Sequence, residues 1–447
     1  MTDKKLPTKA TFSSTVKSVF NPIDFMVGNM LKHDKLFRSS LMGFSAYVVH
    51  DVDYIRYILN DNHENYVKRN KYNLIKLVLG DSLFTSDGEQ WKKQRKKIQP
   101  IFHHRSIQNS MDIMIQESLT LANRIKNQRV VDITNELSLL TFNIVTKSII
   151  GADNTEEVIE KIRKNITHAA PSGSFLLKLP TDKYPEWILN TAFLKKFKSA
   201  LDSTDEIILD LIEQRKNQTD RIDLLSLLIQ SDVENEDIDM KQIRDEVKTM
   251  LLVGSDTTQL SLAWTLLLLS SHEQIKQKVY DEIKEEVKST DNISFETLGK
   301  LKYLDCVIDE SLRLYPPAFA TGRQSVSEDY LDDYYVPPEK NIIINFYGLH
   351  RCPEYWDDPN LFNPSRFEKQ GVSKSKLPFM PFGYGPRVCI GASFSLLEMK
   401  ILLTVFLLNF DFTAIDKDIF PKPLLTLSPN KNIKLKLVNR KQGGAYN

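Results

Sequence analysis

The stretch from Met250 to Ser270 constrains this chain more than any other. It carries a single charged residue, Asp256, and is long enough to cross a bilayer as a helix. Yet Asp256, Thr257, Thr258 and Gln259 lie within it, and a lone carboxylate at that depth in lipid costs roughly 3 kcal/mol or more. The pattern therefore predicts a helix buried through the centre of a large protein. The polar cluster inside such a helix needs a chemical reason.

Composition agrees with a helix-rich globular chain. Hydrophobic residues make up 41% of 447 positions and glycine only 16, which excludes disorder and collagen-like order and disfavours a many-turned all-β chain. Fifty-nine basic against 58 acidic residues leave a net charge of +1, so no global field recruits nucleic acid or an anionic membrane. Cys306, Cys352 and Cys389 show no C-x-x-C pairing, which argues against a disulfide framework or a zinc cluster and for a reducing compartment. The N-terminal residues lack the apolar core of a signal peptide. The expected location is the cytoplasm, with no membrane span.

Along the chain, Phe37 to Leu59 reads as a small sheet feeding a helix, and Asp87 to about Gly151 as helical. Pro171, Pro180 and Pro185 bracket an apolar loop suited to a lid or channel mouth, followed by an amphipathic helix from about Trp187 to Arg215. Charged residues crowd Asp232 to Asp245, after which the long apolar helix runs to about Ser271. One amphipathic helix is predicted over Phe295 to Leu314, ended by Pro316 and Pro317. Beyond it come short strands at Tyr334–Val336 and Ile342–Phe346, an apolar helix from Phe394 to about Leu408, and alternation at Ile433, Leu435 and Leu437. No repeat or flexible linker divides the chain. The fold class is mainly α with smaller β-sheets (α+β), one domain over 1–447 with an N-terminal arm of about residues 1–30.

Cys389 lies in a Gly- and Pro-punctuated loop, Phe382 to Gly391, just before a helix. An arbitrary cysteine is most often an inert buried thiol. Here Gly385 and Gly391 remove side chains on both sides of the sulfur, so a flat, bulky group can approach. The helix start favours thiolate by roughly 0.3–1 kcal/mol, and Arg387 adds a cation two residues away. A lone thiolate suits a cofactor that brings its other ligands with it, and haem is the obvious one.

The run FGYGPRVCIG resembles the haem-binding loop of the cytochrome P-450 family, F-x-x-G-x-R-x-C-x-G, with its fixed positions at Phe382, Gly385, Arg387, Cys389 and Gly391. Glu310-Ser311-Leu312-Arg313 is similar to the family's E-x-x-R, the segment around Arg366 to the one whose arginine completes that network, and Trp91–Arg95 to the W-x-x-x-R beside the haem. The resemblance is to soluble bacterial members and covers most of the chain. It implies haem b (iron protoporphyrin IX) with Cys389 as iron ligand, Phe382 and Gly391 beside it, and Trp91, Arg95, Arg323 and Arg387 on the propionates. It also implies a buried Glu310–Arg313–Arg366 network in place of a surface ion pair, which would contribute at most about 1 kcal/mol.

Val253 to Thr258 is similar to the family's oxygen-binding groove, (A/G)-G-x-(D/E)-T-T, with Val253 at a position usually small. There a back-bonded threonine would open the helix, and Asp256 and Thr257 would handle protons during dioxygen activation. Family position places Leu83, Phe84, Val253, Ala318, Phe319, Leu424 and Leu425 around an apolar substrate. The implied activity is a haem-thiolate monooxygenase acting on a fatty acid, terpene or similar lipophile. Its electrons would come from a ferredoxin or flavodoxin and their reductase, docked on the basic strip Lys92, Lys93, Arg95, Lys96 and Lys97, although a merely solvated helix face explains that strip equally well. The alternatives are a peroxygenase or haem-thiolate isomerase, and a non-catalytic haem-thiolate gas sensor.

Overall fold

The structure is a computed structural model that describes residues 5–11, 13–15, 21–41, 44–68, 73–151, 157–165, 191–215, 224–233, 239–368 and 377–440. The proline-bracketed loop expected over 171–185 lies outside the described residues.

Helices form the bulk, and a mixed sheet flanks them. Leu36–Leu41 and Phe44–Val49 pair antiparallel, as their alternation predicts. Phe44–Val49 pairs in parallel with Asn341–Ile344, which in turn lies antiparallel to Thr321–Ser325. Thr321–Ser325 then closes on Tyr66–Val67, with Val67 opposite Gln324. The described part of the N-terminal arm is docked on this sheet: Ala10, Phe25 and Met26 are buried against Phe37 and Val48. At the other end, Lys434–Asn439 pairs with Phe410–Ala414 and with Val130–Asp132, a short strand inside the region read as wholly helical. Ile433, Leu435 and Leu437 point inward from that tail as expected.

The central helix runs from Met240 to Ser271 and so begins before the apolar stretch. Of the charged residues crowded before the apolar stretch, Lys241, Arg244 and Asp245 are inside the helix. Asp239 caps its start by accepting from the Gln242 amide at 3.0 Å. Arg244 and Lys248 then pair with Asp205 of the helix Ala192–Arg215. Two carboxylates of the same turn hold the loop Gly80–Ser86: Asp245 accepts from the Asp81 amide at 2.9 Å, and Glu246 accepts from the Leu83 amide at 2.9 Å. Burial pushes the Glu246 carboxyl up to about 8.

The amphipathic run after Phe295 is broken rather than continuous, into Phe295–Lys300 and Lys302–Leu314. Glu282, from the neighbouring helix Glu273–Glu286, accepts from the Tyr303 and Leu304 amides at 2.7 and 2.9 Å and so supplies the second helix with its cap. A cap delivered by another element leaves no local signal.

Among the described residues, the helix long and apolar enough to cross a membrane by composition is Ala392–Asn409, not the Met250–Ser270 stretch, and 56% of it is buried in protein. It packs in the main core against Met111–Ile125 and the central helix.

One buried ionic network fixes the geometry around that core. Arg313 donates to Glu310 through Nε at 2.6 Å and Nη2 at 2.8 Å, and neither side chain is exposed at all. Arg366 adds a third contact to Glu310 at 3.0 Å, as the E-x-x-R resemblance implies. The remaining Arg313 donors reach the carbonyls of His350, Pro359 and Leu361. Removal of one partner strands a buried charge. Glu310→Ala is therefore expected to lose roughly 3–5 kcal/mol of unfolding free energy in urea titration, and an unchanged midpoint would refute the role.

Glu398, in Ala392–Asn409, is a second buried acid of a different kind. Both its oxygens lack a hydrogen-bond partner among the described residues, and burial pushes its carboxyl well up. A carboxyl whose folded pKa is raised contributes fully below its unfolded pKa, and that contribution is lost as pH rises toward the folded value. Glu398→Gln should therefore gain on the parent in denaturation midpoint as pH rises above the ordinary carboxylate range; parallel pH curves for the two proteins would contradict this.

Candidate active site

The Cys389 loop is held from three sides. Its own closure is the Cys389 amide donating to the Phe382 carbonyl at 2.9 Å. Gly385, at φ +73°, lies so close to the neighbouring chain that a Cβ there would sit 2.1 Å from the Leu59 carbonyl oxygen, so glycine is obligatory. From the core side, the Met380 amide donates to Nε2 of His350 at 2.9 Å. Burial and the nearby Arg313 and Arg351 guanidinium groups push His350 down to about 3, which keeps that ring neutral and able to accept.

The third hold comes from the helix Gly88–Ile98. Arg95 donates to the Val388 carbonyl at 2.9 Å, next to the cysteine. Arg387, expected to act on the sulfur, instead lies 4.3 Å over the Trp91 ring, donates to the Ser86 carbonyl at 3.0 Å and pairs with Asp87. Burial is the largest effect on the Cys389 thiol and pushes it up; the Gly391 amide, and after it the Arg95 cation, lower it. The helix start and a cation thus oppose desolvation without overcoming it. An axial metal cation would reverse that balance, because a coordinated thiol is deprotonated outright.

Cys389 and Asp256 share an unusual condition: each is surrounded by protein, yet each side chain is exposed. Groups so placed line an internal space. The central helix supplies one wall. Thr257 donates to the Val253 carbonyl at 2.8 Å and Thr258 to that of Gly254 at 3.1 Å. The helix stays regular through this segment, so the expected local opening is absent. Thr258 also meets Ser395 at 3.0 Å, which links the central helix to the helix that follows Cys389. Burial pushes the Asp256 carboxyl up, while a hydrogen bond from Thr426 at 3.0 Å pulls it back.

Ala318 and Leu425 are exposed and Leu424 half-buried, while Val253 is half-buried on the central helix. Leu83 packs toward the cluster around Ile98 and Val247, and Phe84 lies under the Lys68 ammonium at 4.5 Å. Phe319 is half-buried and packs with two apolar clusters, one with Phe37 and the N-terminal helix Pro22–Met30, the other with Tyr347 and Leu427.

Lys68 is the residue that local sequence reading missed. Its ammonium donates to the Phe84 carbonyl at 2.8 Å, and its amide to Asp87 at 2.5 Å. Burial, Arg323 and Arg387 hold it well below the usual lysine range. Lys68, Arg323 and Arg387 are thus mutually close, with Asp87 as the carboxylate that offsets them. Such a surplus of buried positive charge beside an internal space suits a ligand with two carboxylates. Only the pairing of Tyr66–Val67 with Thr321–Ser325 brings Lys68 to Arg323.

The residues present fit haem. One accessible sulfur, that of Cys389, would supply the protein's donor to the iron, with no group of three His, Cys, Asp or Glu residues competing as a metal site among the described residues. Gly391 has nothing closer to a hypothetical Cβ than a Phe102 carbon at 3.9 Å, and the cation cluster matches the two propionates. Cys389 would hold the iron, Lys68, Arg323 and Arg387 the propionates, and the group would supply dioxygen activation and electron transfer.

The cytochrome P450 family profile matches residues 15–437. A probable cytochrome P450 4d20 of Drosophila melanogaster is 27% identical over 92% of this chain and 87% of its own length. Cytokinin hydroxylase of Arabidopsis thaliana is 30% identical over 80% of this chain and 72% of its own. Among solved structures, the retinoic acid-bound cyanobacterial CYP120A1 superposes with a TM-score of 0.83 at 23% identity, covering 98% of this chain and 100% of that one. With its cysteine loop, buried E-x-x-R pair and central helix arranged as above, this chain belongs to the cytochrome P450 family and is a haem-dependent monooxygenase.

Proposed function

We propose that this protein inserts one oxygen atom of dioxygen into an apolar substrate, a fatty acid, terpene or similar lipophile, by hydroxylation or epoxidation. The carrying observation is that Leu425, exposed, and Leu424, half-buried, stand on the turn whose Thr426 bonds Asp256. Apolar side chains left open inside a fold favour an apolar ligand, with the few polar groups setting its orientation. The relatives named above support the class: one is a hydroxylase by name, and one structure holds retinoic acid. Asp256 takes up and passes protons, with Thr257 beside it. That pair disfavours a peroxygenase or isomerase, which needs no such relay.

Cys389→Ser should abolish the thiolate optical signature of the reduced carbon monoxide complex while leaving haem uptake measurable. Retention of that signature in the serine variant would sink the ligand assignment. Fatty acids and terpenes should shift the absorption band of the haem-loaded protein; a screen in which neither class shifts it counts against the substrate class and favours a sensor.

Electrons are proposed to come from a separate ferredoxin or flavodoxin with its reductase, in the cytoplasm. The basic strip that supports docking is narrower than the sequence suggests. Arg95 is turned inward and Lys92 is paired with Glu89 and Glu64, which leaves Lys93 and Lys96 as exposed cations on that helix face. The double substitution Lys93→Glu and Lys96→Glu should cut partner-supported turnover roughly tenfold at low ionic strength and flatten its salt dependence. Unaltered salt dependence would place the docking face elsewhere.

A further inference from the structure

We propose that Thr426 is the positioning residue for Asp256, and that through the Leu424–Leu425 turn it couples occupation of the apolar pocket to the orientation of that acid. The inference rests on the reading of Asp256 as the proton-handling group and assigns the part that holds it.

Asp256 gets no help from its own helix. The hydroxyls of Ser255, Thr257 and Thr258 each donate to a carbonyl one turn back, at 2.6, 2.8 and 3.1 Å. The side-chain hydrogen bond made by Asp256 comes instead from Thr426 Oγ1, at 3.0 Å to Oδ2, across a large separation in sequence. A carboxylate with one directional partner has its rotamer set by that partner.

Thr426 is itself rigidly placed on one side and free to respond on the other. Its carbonyl accepts from the Leu424 and Ser428 amides at 3.0 and 3.1 Å. The next residue, Leu427, is fully buried; its amide donates to the Pro317 carbonyl at 3.0 Å, and its carbonyl accepts from Trp264 Nε1 at 2.9 Å. Trp264 lies on the same helix as Asp256, about 12 Å further along at 1.5 Å per residue. Donor and acceptor of the Thr426–Asp256 bond thus share one frame. On the other side, Leu425 is 57% exposed and Leu424 only half-buried. A lipophile pressing on those two side chains acts on the residue directly preceding Thr426.

Dioxygen that takes up two electrons and two protons without O–O cleavage leaves as hydrogen peroxide. Peroxide formed per product therefore reads whether protons arrive in the right place. Four proteins test the proposal: the parent, Asp256→Asn, Thr426→Val and Thr426→Ser. Two readouts are needed, the peroxide-to-product ratio with a reductase system and the infrared carboxyl band that Asp256→Asn removes.

Thr426→Val should raise the peroxide-to-product ratio roughly tenfold and shift the carboxyl band, with substrate affinity changed less than about twofold because the methyl-bearing wall is kept. Thr426→Ser should restore both values. Added substrate should shift the band in the parent and in Thr426→Ser but not in Thr426→Val. If Asp256→Asn raises the ratio while Thr426→Val matches the parent in ratio and band, the positioning role is overturned and the relay stands. If Asp256→Asn itself leaves the ratio unchanged, the relay reading fails and this proposal with it. Weakened substrate binding in Thr426→Val, with the band in place, would make Thr426 a wall residue and overturn the proposal.

Discussion

The Glu310–Arg313 pair is the interaction on which the reactive centre depends, because it converts an irregular segment into a rigid support. Residues 350–361 have little regular structure with which to satisfy their own carbonyls, and buried carbonyls must be satisfied. Arg313 does so at His350, Pro359 and Leu361 while its charge is matched by Glu310. His350 then passes the constraint on through its ring to the Met380 amide, and the Gly383 amide donates to the Met380 carbonyl at 3.1 Å. The cysteine loop begins there. A hydrophobic pair in place of Glu310 and Arg313 would fill the volume and still leave the His350 and Pro359 carbonyls orphaned, which is a reason for an ionic pair where desolvation is expensive.

Charge near the centre is distributed by the same logic at shorter range. The whole chain is nearly neutral, but Arg323 and Arg387 both lie near Lys68, and Asp87 is the carboxylate that pairs with Arg387 and offsets Lys68. Burial first, and then repulsion from Arg323 and Arg387, disfavour the charged form of Lys68. A dianionic partner relieves that repulsion, so binding and folding of this region draw on the same electrostatic term. Arg95, by contrast, is turned to the cysteine loop, where its charge acts on the sulfur.

What could be read from sequence divides by the distance over which each interaction acts. The cysteine loop, the pair at Glu310 and Arg313 and the buried central helix lie in contiguous runs, and their local spacing already specifies their geometry. Lys68 could not be found that way, since its place depends on a strand pairing between residues far apart in the chain. The split at Leu301 is set by Glu282 from another helix, and the early start of the central helix by Asp205, Asp81 and Leu83. Arg387 illustrates the opposite error: its nearness to Cys389 in sequence suggested a partner, but Trp91 and Asp87 compete for it in space.

The cofactor side and the substrate side of this fold are built on different principles, and the difference bears on how such a scaffold changes substrate. The sulfur, its loop and its supports are joined by short backbone hydrogen bonds and buried ions, where single changes strand a charge or a carbonyl. The side proposed to meet substrate is assembled from loops and turns: Ala318 from one, Leu424 and Leu425 from a hairpin end. Substitution among apolar side chains on such turns costs little and alters the shape of the space. The hairpin is held at Leu427 by Pro317 and Trp264 whatever stands at its tip. A few polar contacts therefore keep the chemistry in place while the residues that meet the substrate remain free to vary.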